Sequence, residues 1–164
     1  MRSIEYAFAK AHNDYLTLKK TQGVMNDRPN DIKRIRPEIP KARVNDQMSD
    51  EERFQNITLR PVVKLQNPLL IEMFRNYISK RKNVFYNLSL EKRLDYIENA
   101  VNKDMKFRNS LKGMIIGQFT VEEYLVYIQN SSALNKRMAN LIRERLISQI
   151  QLFDNPSDVL IKAS

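Results

Sequence analysis

The stretch SLEKRLDYIENAVNKDM, residues 89–105, carries the clearest helical pattern in the chain. Its apolar residues recur every three or four positions, which places them on one side of an α-helix. Charged and amide side chains occupy the other side, and Ser89 is a favourable N-cap residue. These features predict an amphipathic helix that buries its apolar stripe against neighbouring helices. The stripe consists of Leu90, Leu94, Ile97, Val101 and Met105.

The sequence on both sides of this helix predicts further helices. Asn67, followed by a proline, is a favourable cap for the preceding helix, and Thr120 begins a capping box for a later one. The predicted helices cover residues 67–82, 89–105, 107–116, 120–129 and 133–153. We therefore predict an all-α fold, a small bundle of four to five helices over residues 67–155, followed by a C-terminal tail over 156–164.

The N-terminal part of the chain follows a different pattern. Residues 1–23 predict a helix, because apolar residues recur there at helical spacing. Residues 24–66 predict an extended basic arm, because prolines interrupt helices and the apolar residues are sparse. Within this arm, Ser49 begins a capping box for a short helix. The β-prone stretch 57–66 contains Pro61, which predicts an edge strand or an extended crossing.

The composition excludes several classes of chemistry. The 164 residues contain no Cys and a single histidine, His12. Disulfides, thiolate nucleophiles and sites built from several Cys or His ligands are therefore excluded. The two acidic clusters, at 50–52 and 122–123, directly follow capping residues, where a helix start favours negative charge. We predict no catalytic residue, no metal site and no cofactor, and we expect a protein that is not an enzyme.

The chain is strongly basic, with 28 Lys and Arg against 19 Asp and Glu and a net charge of +9. The run KRIRPEIPKAR, residues 33–43, carries five cations and one anion, and isoleucines alternate with the charges. Such a segment is either a solvated linker or a docking arm that lies along phosphates or an acidic protein surface. The candidate binding residues are Lys33, Arg34, Arg36, Lys41 and Arg43, extended by Arg60, Lys64, Lys80, Arg81 and Lys82.

The last predicted helix carries two polar residues within its apolar stripe, Arg145 and Gln149. Because an unpaired guanidinium is costly to bury, Arg145 either extends past the edge of the core or pairs with an acidic partner at an interface. The helix pair 121–129 and 133–153 also invites comparison with helix-turn-helix DNA-binding proteins. The basic residues of its second helix do not share one face, so ordinary antiparallel packing is the favoured interpretation.

These observations predict a non-enzymatic structural subunit that docks through its basic arm into a large multisubunit complex. Nucleoprotein particles, virions, ribosome-like machines and organelle complexes are examples, and the expected partners are protein subunits. The alternative is a direct nucleic-acid-binding protein that places the arm and the basic helix ends on RNA or DNA phosphates. No apolar run approaches the roughly 18 residues of a transmembrane helix. We expect a reducing intracellular compartment or a particle, with a mitochondrial location as an alternative suggested by the amphipathic, basic N-terminus.

Overall fold

The computed structural model describes residues 27–40, 42 and 44–154, together with residues 10, 13 and 17. Within these residues all regular secondary structure is helical, which confirms the all-α class. The predicted N-terminal helix, residues 1–23, lies outside the described residues except for Lys10, Asn13 and Thr17, which are helical. The predicted tail, residues 156–164, also lies outside them.

Helices follow one another along the described chain. They are α1 (Arg28–Ile35), α2 (Asp50–Phe54), α3 (Arg60–Leu65), α4 (Asn67–Lys80), α5 (Leu90–Asn102), α6 (Met105–Ile116), α7 (Val121–Gln129) and α8 (Ser131–Ser148). A π turn, Gln55–Leu59, joins α2 to α3, and 3₁₀ turns cover Val84–Asn87 and Ile150–Phe153. Helices α4 to α8 lie where the sequence predicts helices. None of the described helices is both long enough and apolar enough to cross a lipid bilayer.

Side-chain caps begin α2, α5 and α7 as the sequence predicts. Ser49 and Thr120 form complete capping boxes, and the Ser89 hydroxyl accepts a hydrogen bond from a backbone N–H in the first turn of α5. The predicted cap at Asn67 is wrong, because Asn67 is itself the first residue of α4. The chain enters α4 almost directly from α3, with Gln66 as the single intervening residue. A separate capping residue therefore has no place at this junction.

Residues 50–65 are helical, so the predicted extended conformation of 57–66 is wrong. Pro61 is compatible with this helix because it is the second residue of α3, where a missing backbone N–H costs little. Packing outweighs the strand preference of the β-branched residues in this stretch. The apolar side chains of the segment belong to the hydrophobic core: Phe54, Leu59, Val62 and Val63. Residues 50–65 therefore pack with the later helices as part of one core.

Helix α1 is a second departure from the predicted extended arm. Pro29 lies in its first turn, where the fixed backbone angle of proline suits a helix, so this proline begins a helix. Only Ile32 of α1 is buried. Between α1 and α2 the described residues form bends and turns without a helix. The irregular part of the predicted arm is therefore limited to the chain between these two helices.

Helix α8 lies at the centre of the packing. It contacts α3, α4, α5, α6 and α7, and four of its apolar side chains are buried: Leu134, Met138, Ile142 and Leu146. Beside it, Phe74 of α4 packs edge-to-face against Phe85 and Phe153, with ring centroids 5.6 and 4.9 Å away. Because α8 packs against five helices, the grooves between α8 and these neighbours lie along its surface.

Candidate functional site

The predicted arm residue Arg36 is buried. Only 7% of its side chain is accessible. Its Nη1 and Nη2 donate hydrogen bonds to the two carboxylate oxygens of Glu123 at 2.5 and 2.7 Å. Nη2 also donates to the backbone carbonyl of Gln118 at 2.6 Å. The charge of Arg36 is therefore compensated within the molecule, and its side chain holds the end of α1 against the start of α7.

Arg28 makes a matching contact at the other end of α1. Its Nη2 and Nη1 donate to the backbone carbonyls of Gly117 and Phe119 at 2.9 and 3.0 Å. These carbonyls directly follow α6, and the C-terminal end of a helix carries partial negative charge that favours a cation. Arg28 and Arg36 therefore attach α1 to the turn between α6 and α7. We name this group of three residues, Arg28, Arg36 and Glu123, the α1 clamp.

Glu123 is the carboxylate of the clamp. Burial raises the pKa of this carboxyl, but hydrogen bonds from Arg36, from the Thr120 backbone N–H and from the Thr58 hydroxyl outweigh burial and hold the pKa below its usual value. Thr58 Oγ1 lies 3.0 Å from Oε1 of Glu123, and the Thr120 nitrogen lies 2.8 Å from Oε2. Glu123 is therefore ionised at neutral pH and joins α1, the π turn and α7.

The remaining predicted arm cations occupy separate positions. Lys33 and Arg34 are exposed on α1, where Arg34 forms an ion pair within the helix. Lys64 of α3 donates from Nζ to the backbone carbonyl of Glu38 at 3.1 Å. Two further predicted cations, Lys41 and Arg43, lie outside the described residues. The described part of the basic run does not form one continuous cationic surface.

The predicted basic cluster at the end of α4 is divided between one paired arginine and two lysines. Arg81 forms an ion pair with Asp104, and its guanidinium lies over the Tyr77 ring, 3.5 Å from the centroid. Burial raises the pKa of Tyr77 to about 12, so this phenol stays neutral. Lys80 and Lys82 are exposed. All three cations of the cluster are exposed, and Arg81 differs from the two lysines by its ion pair with Asp104.

Six cations line three adjoining grooves beside α8, and we name this surface the basic tract. Helix α3 contributes one of them, α6 two and α8 three. They are Arg60, Arg108, Lys112, Lys136, Arg137 and Arg145. The cations of the first groove are Arg60 and Arg145, those of the second are Arg60, Lys136 and Arg137, and those of the third are Arg108, Lys112 and Lys136. Arg60 and Lys136 each line two grooves, which makes the surface continuous. Glu144 is the single carboxylate among the described residues that line these grooves.

The first groove brings together two residues predicted from the sequence. Arg60 and Arg145 both line it, beside Ile39 from the predicted arm. The Arg145 side chain makes no ion pair with another described residue, so its predicted pairing with an acidic partner stays a prediction. Gln149 lies one helical turn further on, and its side-chain carbonyl oxygen is buried without a hydrogen-bond donor among the described residues.

Four members of the tract are absent from the predicted set: Arg108, Lys112, Lys136 and Arg137. Lys136 and Arg137 are adjacent residues of α8, and both line the second groove together with Arg60 of α3. Arg108 and Lys112 are one turn apart on α6, which makes them neighbours on the helix surface. That spacing is visible in the sequence, but the approach of α6 to α8 is not.

Three arginines of the tract are held in place by neutral acceptors, and Arg60 donates from Nε to Oδ1 of Asn56 at 3.1 Å. Arg137 donates from Nη1 to Oε1 of Gln55 at 2.9 Å. Arg108 donates from Nη1 to the backbone carbonyl of Asn102 at 3.0 Å. Since none of these acceptors carries a formal charge, the hydrogen bonds fix the guanidinium groups without neutralising them.

The third groove, between α5, α6 and α8, has a volume of about 500 Å³. It combines an apolar floor with a polar rim. The floor is formed by Val101, Leu111, Met138, Ala139 and Ile142. The rim carries cations and carboxamides: Arg108, Lys112, Lys136, Asn102, Asn135 and Asn140. No carboxylate is present among the described residues that line this groove.

A second exposed surface, formed by α7 and the π turn, is apolar. Its members are 38–51% exposed: Ile57, Tyr124, Val126 and Ile128. Ile57 and Val126 line one groove of about 520 Å³ between α2 and α7, with Asp50 and Glu51 among the other lining residues. This surface therefore joins apolar side chains to two carboxylates and one cation, Arg53.

The comparisons with known proteins assign no family. No family model, curated protein or solved structure matches this chain. Function is therefore inferred from the chemistry of the surfaces.

Proposed function

We propose that this protein is a non-enzymatic subunit of a nucleoprotein assembly and that its basic tract binds the phosphate backbone of a nucleic acid. The observation that carries the proposal is the charge of three connected grooves, in which six cations face one carboxylate, Glu144, among the described lining residues. Like charges at close range repel one another, so this arrangement does not favour folding. A polyanion supplies the opposite charge along a continuous line.

The proposal replaces the predicted docking arm with a folded surface. Of the predicted candidates, Arg60 and Arg145 belong to the basic tract, whereas Arg36 is neutralised by Glu123. Helices hold the cations of the tract at fixed separations, so binding requires less ordering than an extended arm does. The proposal requires no catalytic residue and no cofactor.

Phosphate binding has a characteristic dependence on salt. Each phosphate that a Lys or Arg neutralises releases condensed counterions, so the logarithm of the association constant falls linearly with the logarithm of the salt concentration. The slope is about 0.7 per contact for a single strand and about 0.9 for a duplex. An association driven by apolar contacts depends much less on salt. A salt series therefore measures how many cations contact phosphate.

The test compares a tract variant with a charge-matched control in the full-length protein. Lys112→Gln/Lys136→Gln removes two charges from the tract, and Lys33→Gln/Lys80→Gln removes two exposed charges that were predicted candidates outside it. Fluorescence anisotropy with a short labelled RNA or DNA measures affinity across a salt series. We expect the tract variant to lose affinity about tenfold or more and to reduce the slope by about one unit for each lost contact.

The control variant should keep most of its affinity under the same conditions. An equal loss in both variants would mean that binding follows net charge and not the tract. No binding of any nucleic acid by the wild-type protein at low salt would reject the proposal. Circular dichroism of both variants checks that they remain folded.

A second candidate function is docking onto a protein subunit of a larger assembly, and the apolar surface of α7 favours it. Ile57 and Val126 border the same groove as Asp50 and Glu51, which fits an amphipathic helix with basic residues flanking its apolar face. Val126→Ser should weaken such docking and leave nucleic-acid affinity unchanged. Analytical ultracentrifugation with a synthetic basic amphipathic peptide measures the docking, and unchanged peptide binding by the variant would reject this candidate.

A further inference from the structure

The third groove of the basic tract has features that phosphate binding alone does not use. A backbone phosphate needs cations, and the rim supplies Arg108, Lys112 and Lys136. The apolar floor and the carboxamides have no role toward a phosphate. The floor includes Met138 and Ala139 from α8, and it lies beneath a volume of about 500 Å³. Four floor side chains, Val101, Leu111, Met138 and Ile142, are buried in the core, so Ala139 is the floor residue that a ligand's apolar face would contact most directly.

The carboxamides around the groove add directional hydrogen bonding. The Tyr127 hydroxyl donates to Oδ1 of Asn135 at 2.8 Å. Because that bond occupies the carbonyl end, Asn135 has its NH₂ group left to donate to a ligand. Asn140 also lines the groove and offers both a donor and an acceptor. Side chains of this kind match the edges of nucleobases, which carry carbonyl oxygens, ring nitrogens and amino groups.

We propose that the third groove binds one unstacked nucleotide of a single-stranded nucleic acid, with its base on the apolar floor and its phosphate at Arg108, Lys112 and Lys136. This inference rests on the proposed function, because it assigns a specific nucleotide site within the same basic tract. The base is a flat heterocycle whose faces are apolar and whose edges are polar. Burial of those faces and hydrogen bonds to the edges hold it without an aromatic side chain, since none lines this groove among the described residues.

A site for one unstacked nucleotide distinguishes single strands from duplexes. In a duplex each base is stacked and paired inside the helix, so only phosphates and groove edges reach a protein surface. An unpaired nucleotide can turn its base into a groove at little cost. The first two grooves of the tract contact either form through phosphates. The third groove favours the single strand.

The experiment fills the groove without changing its charge. Ala139→Leu adds bulk to the floor of the third groove, and Ala133→Leu makes the same change on α8 in the second groove, as a matched control. Anisotropy is measured with a single strand, the duplex of the same sequence, and an abasic single strand that keeps the phosphates and lacks the bases. We expect the wild-type protein to bind the single strand about tenfold more tightly than the abasic strand, the gain from one or two hydrogen bonds to the base edge.

Ala139→Leu should abolish that preference and leave affinity for the duplex and the abasic strand unchanged, while Ala133→Leu should keep the preference. Equal affinity of the wild-type protein for normal and abasic strands would overturn the nucleotide site and leave the proposed function in place. Because this measurement needs only the wild-type protein, it decides the inference even if Ala139→Leu fails to fold. Competition by a mononucleotide as strong as that by the strand would also overturn it, since the groove would then belong to a free nucleotide.

Discussion

The arginines of the α1 clamp and the cations of the basic tract lie in contrasting surroundings. In the clamp, Arg36 is 7% accessible and donates to a carboxylate and to a backbone carbonyl. In the tract, Arg108 and Arg137 donate to neutral acceptors. The six cations of the tract share one carboxylate, Glu144, among the described residues that line its grooves. The clamp uses positive charge to hold the fold, and the tract gathers more positive than negative charge along its grooves.

This contrast shows that a cation in a dense basic run can serve the fold, as Arg36 does by pairing with Glu123. The run at 33–43 supplies the most deeply placed arginine of the clamp. The tract instead draws its charges from α3, α6 and α8, which are far apart in the chain and contain no such run. What distinguishes Arg36 from Arg60, Arg108 and Arg137 is a carboxylate within hydrogen-bond distance, and packing decides that.

The largest expected effect is a loss of stability on disruption of the core beside Leu59, the residue that precedes Arg60 of the basic tract. Leu59 is fully buried in the π turn, and Ile57 of the same turn is 51% exposed. Leu59→Ala should lower the free energy of unfolding by about 4 kcal/mol, because it removes buried methyl groups and leaves a cavity. Ile57→Ala, as the control, should cost less than about 1 kcal/mol. Urea unfolding measures both, and a small loss for Leu59→Ala would mean that residues 50–65 do not belong to the core.

The next-largest effect distinguishes clamp cations from exposed cations by their contribution to the free energy of unfolding. Arg36→Met should lower the free energy of unfolding by about 3 kcal/mol, because it leaves the Glu123 carboxylate buried without its cation. Arg34→Met breaks the exposed ion pair with Asp31 and should cost about 0.5 kcal/mol or less. Thermal and urea unfolding provide the comparison. If both variants are equally stable, Arg36 does not hold α1, and the distinction between clamp and tract fails.

A smaller effect is the dependence of the clamp on pH. The pKa of Glu123 is lower in the folded protein than its ordinary value of 4.5. The stability that ionised Glu123 contributes is therefore present above pH 4.5 and is lost as the pH falls through the folded pKa. The wild-type protein should exceed Glu123→Gln in stability by the largest margin at neutral pH, and the margin should shrink on acidification below pH 4.5. A margin that is constant with pH in urea unfolding would contradict this.

The smallest expected effect concerns Lys80, Arg81 and Lys82 at the end of α4, which belong neither to the α1 clamp nor to the basic tract. Lys82 has a backbone φ of 57°, in the left-handed region that favours glycine. Lys82→Gly should raise the free energy of unfolding by about 1 kcal/mol, since glycine adopts this conformation without steric cost. Lys82→Ala keeps the steric cost and should bring no gain. A loss of nucleic-acid affinity in both variants would extend the binding surface to this cluster.

The features that the sequence predicts correctly depend on neighbouring residues. Ser89 caps its helix as predicted, and Ile97 and Val101 of the predicted stripe are buried, whereas Leu90 and Met105 at the two ends of the stripe are 63% and 65% exposed. The capping boxes at Ser49 and Thr120 each span four residues. Such signals act within one helix, so they do not depend on what the helix packs against. The all-α class follows from them.

The features that the sequence does not predict depend on contacts between distant residues. The β-branched residues and Pro61 in 57–66 favour an extended chain locally, and burial of Leu59 and Val62 against other helices overrides that preference. Arg36 and Glu123 are 87 residues apart, so no local pattern predicts their pairing. The tract likewise depends on how α3 and α6 approach α8, which charge counting along the chain does not reveal.

The attachment of α1 also determines at which stage of folding this helix docks onto the bundle. The hydrogen bond from Arg28 to the Phe119 carbonyl spans 91 residues, and closing so long a loop is entropically costly before other contacts exist. Helix α1 buries a single apolar side chain, Ile32. Its docking is therefore a late step in folding, completed on a bundle that is already assembled. We therefore expect α1 to open more readily than α8, and hydrogen exchange should protect the amide protons of α8 more strongly than those of α1.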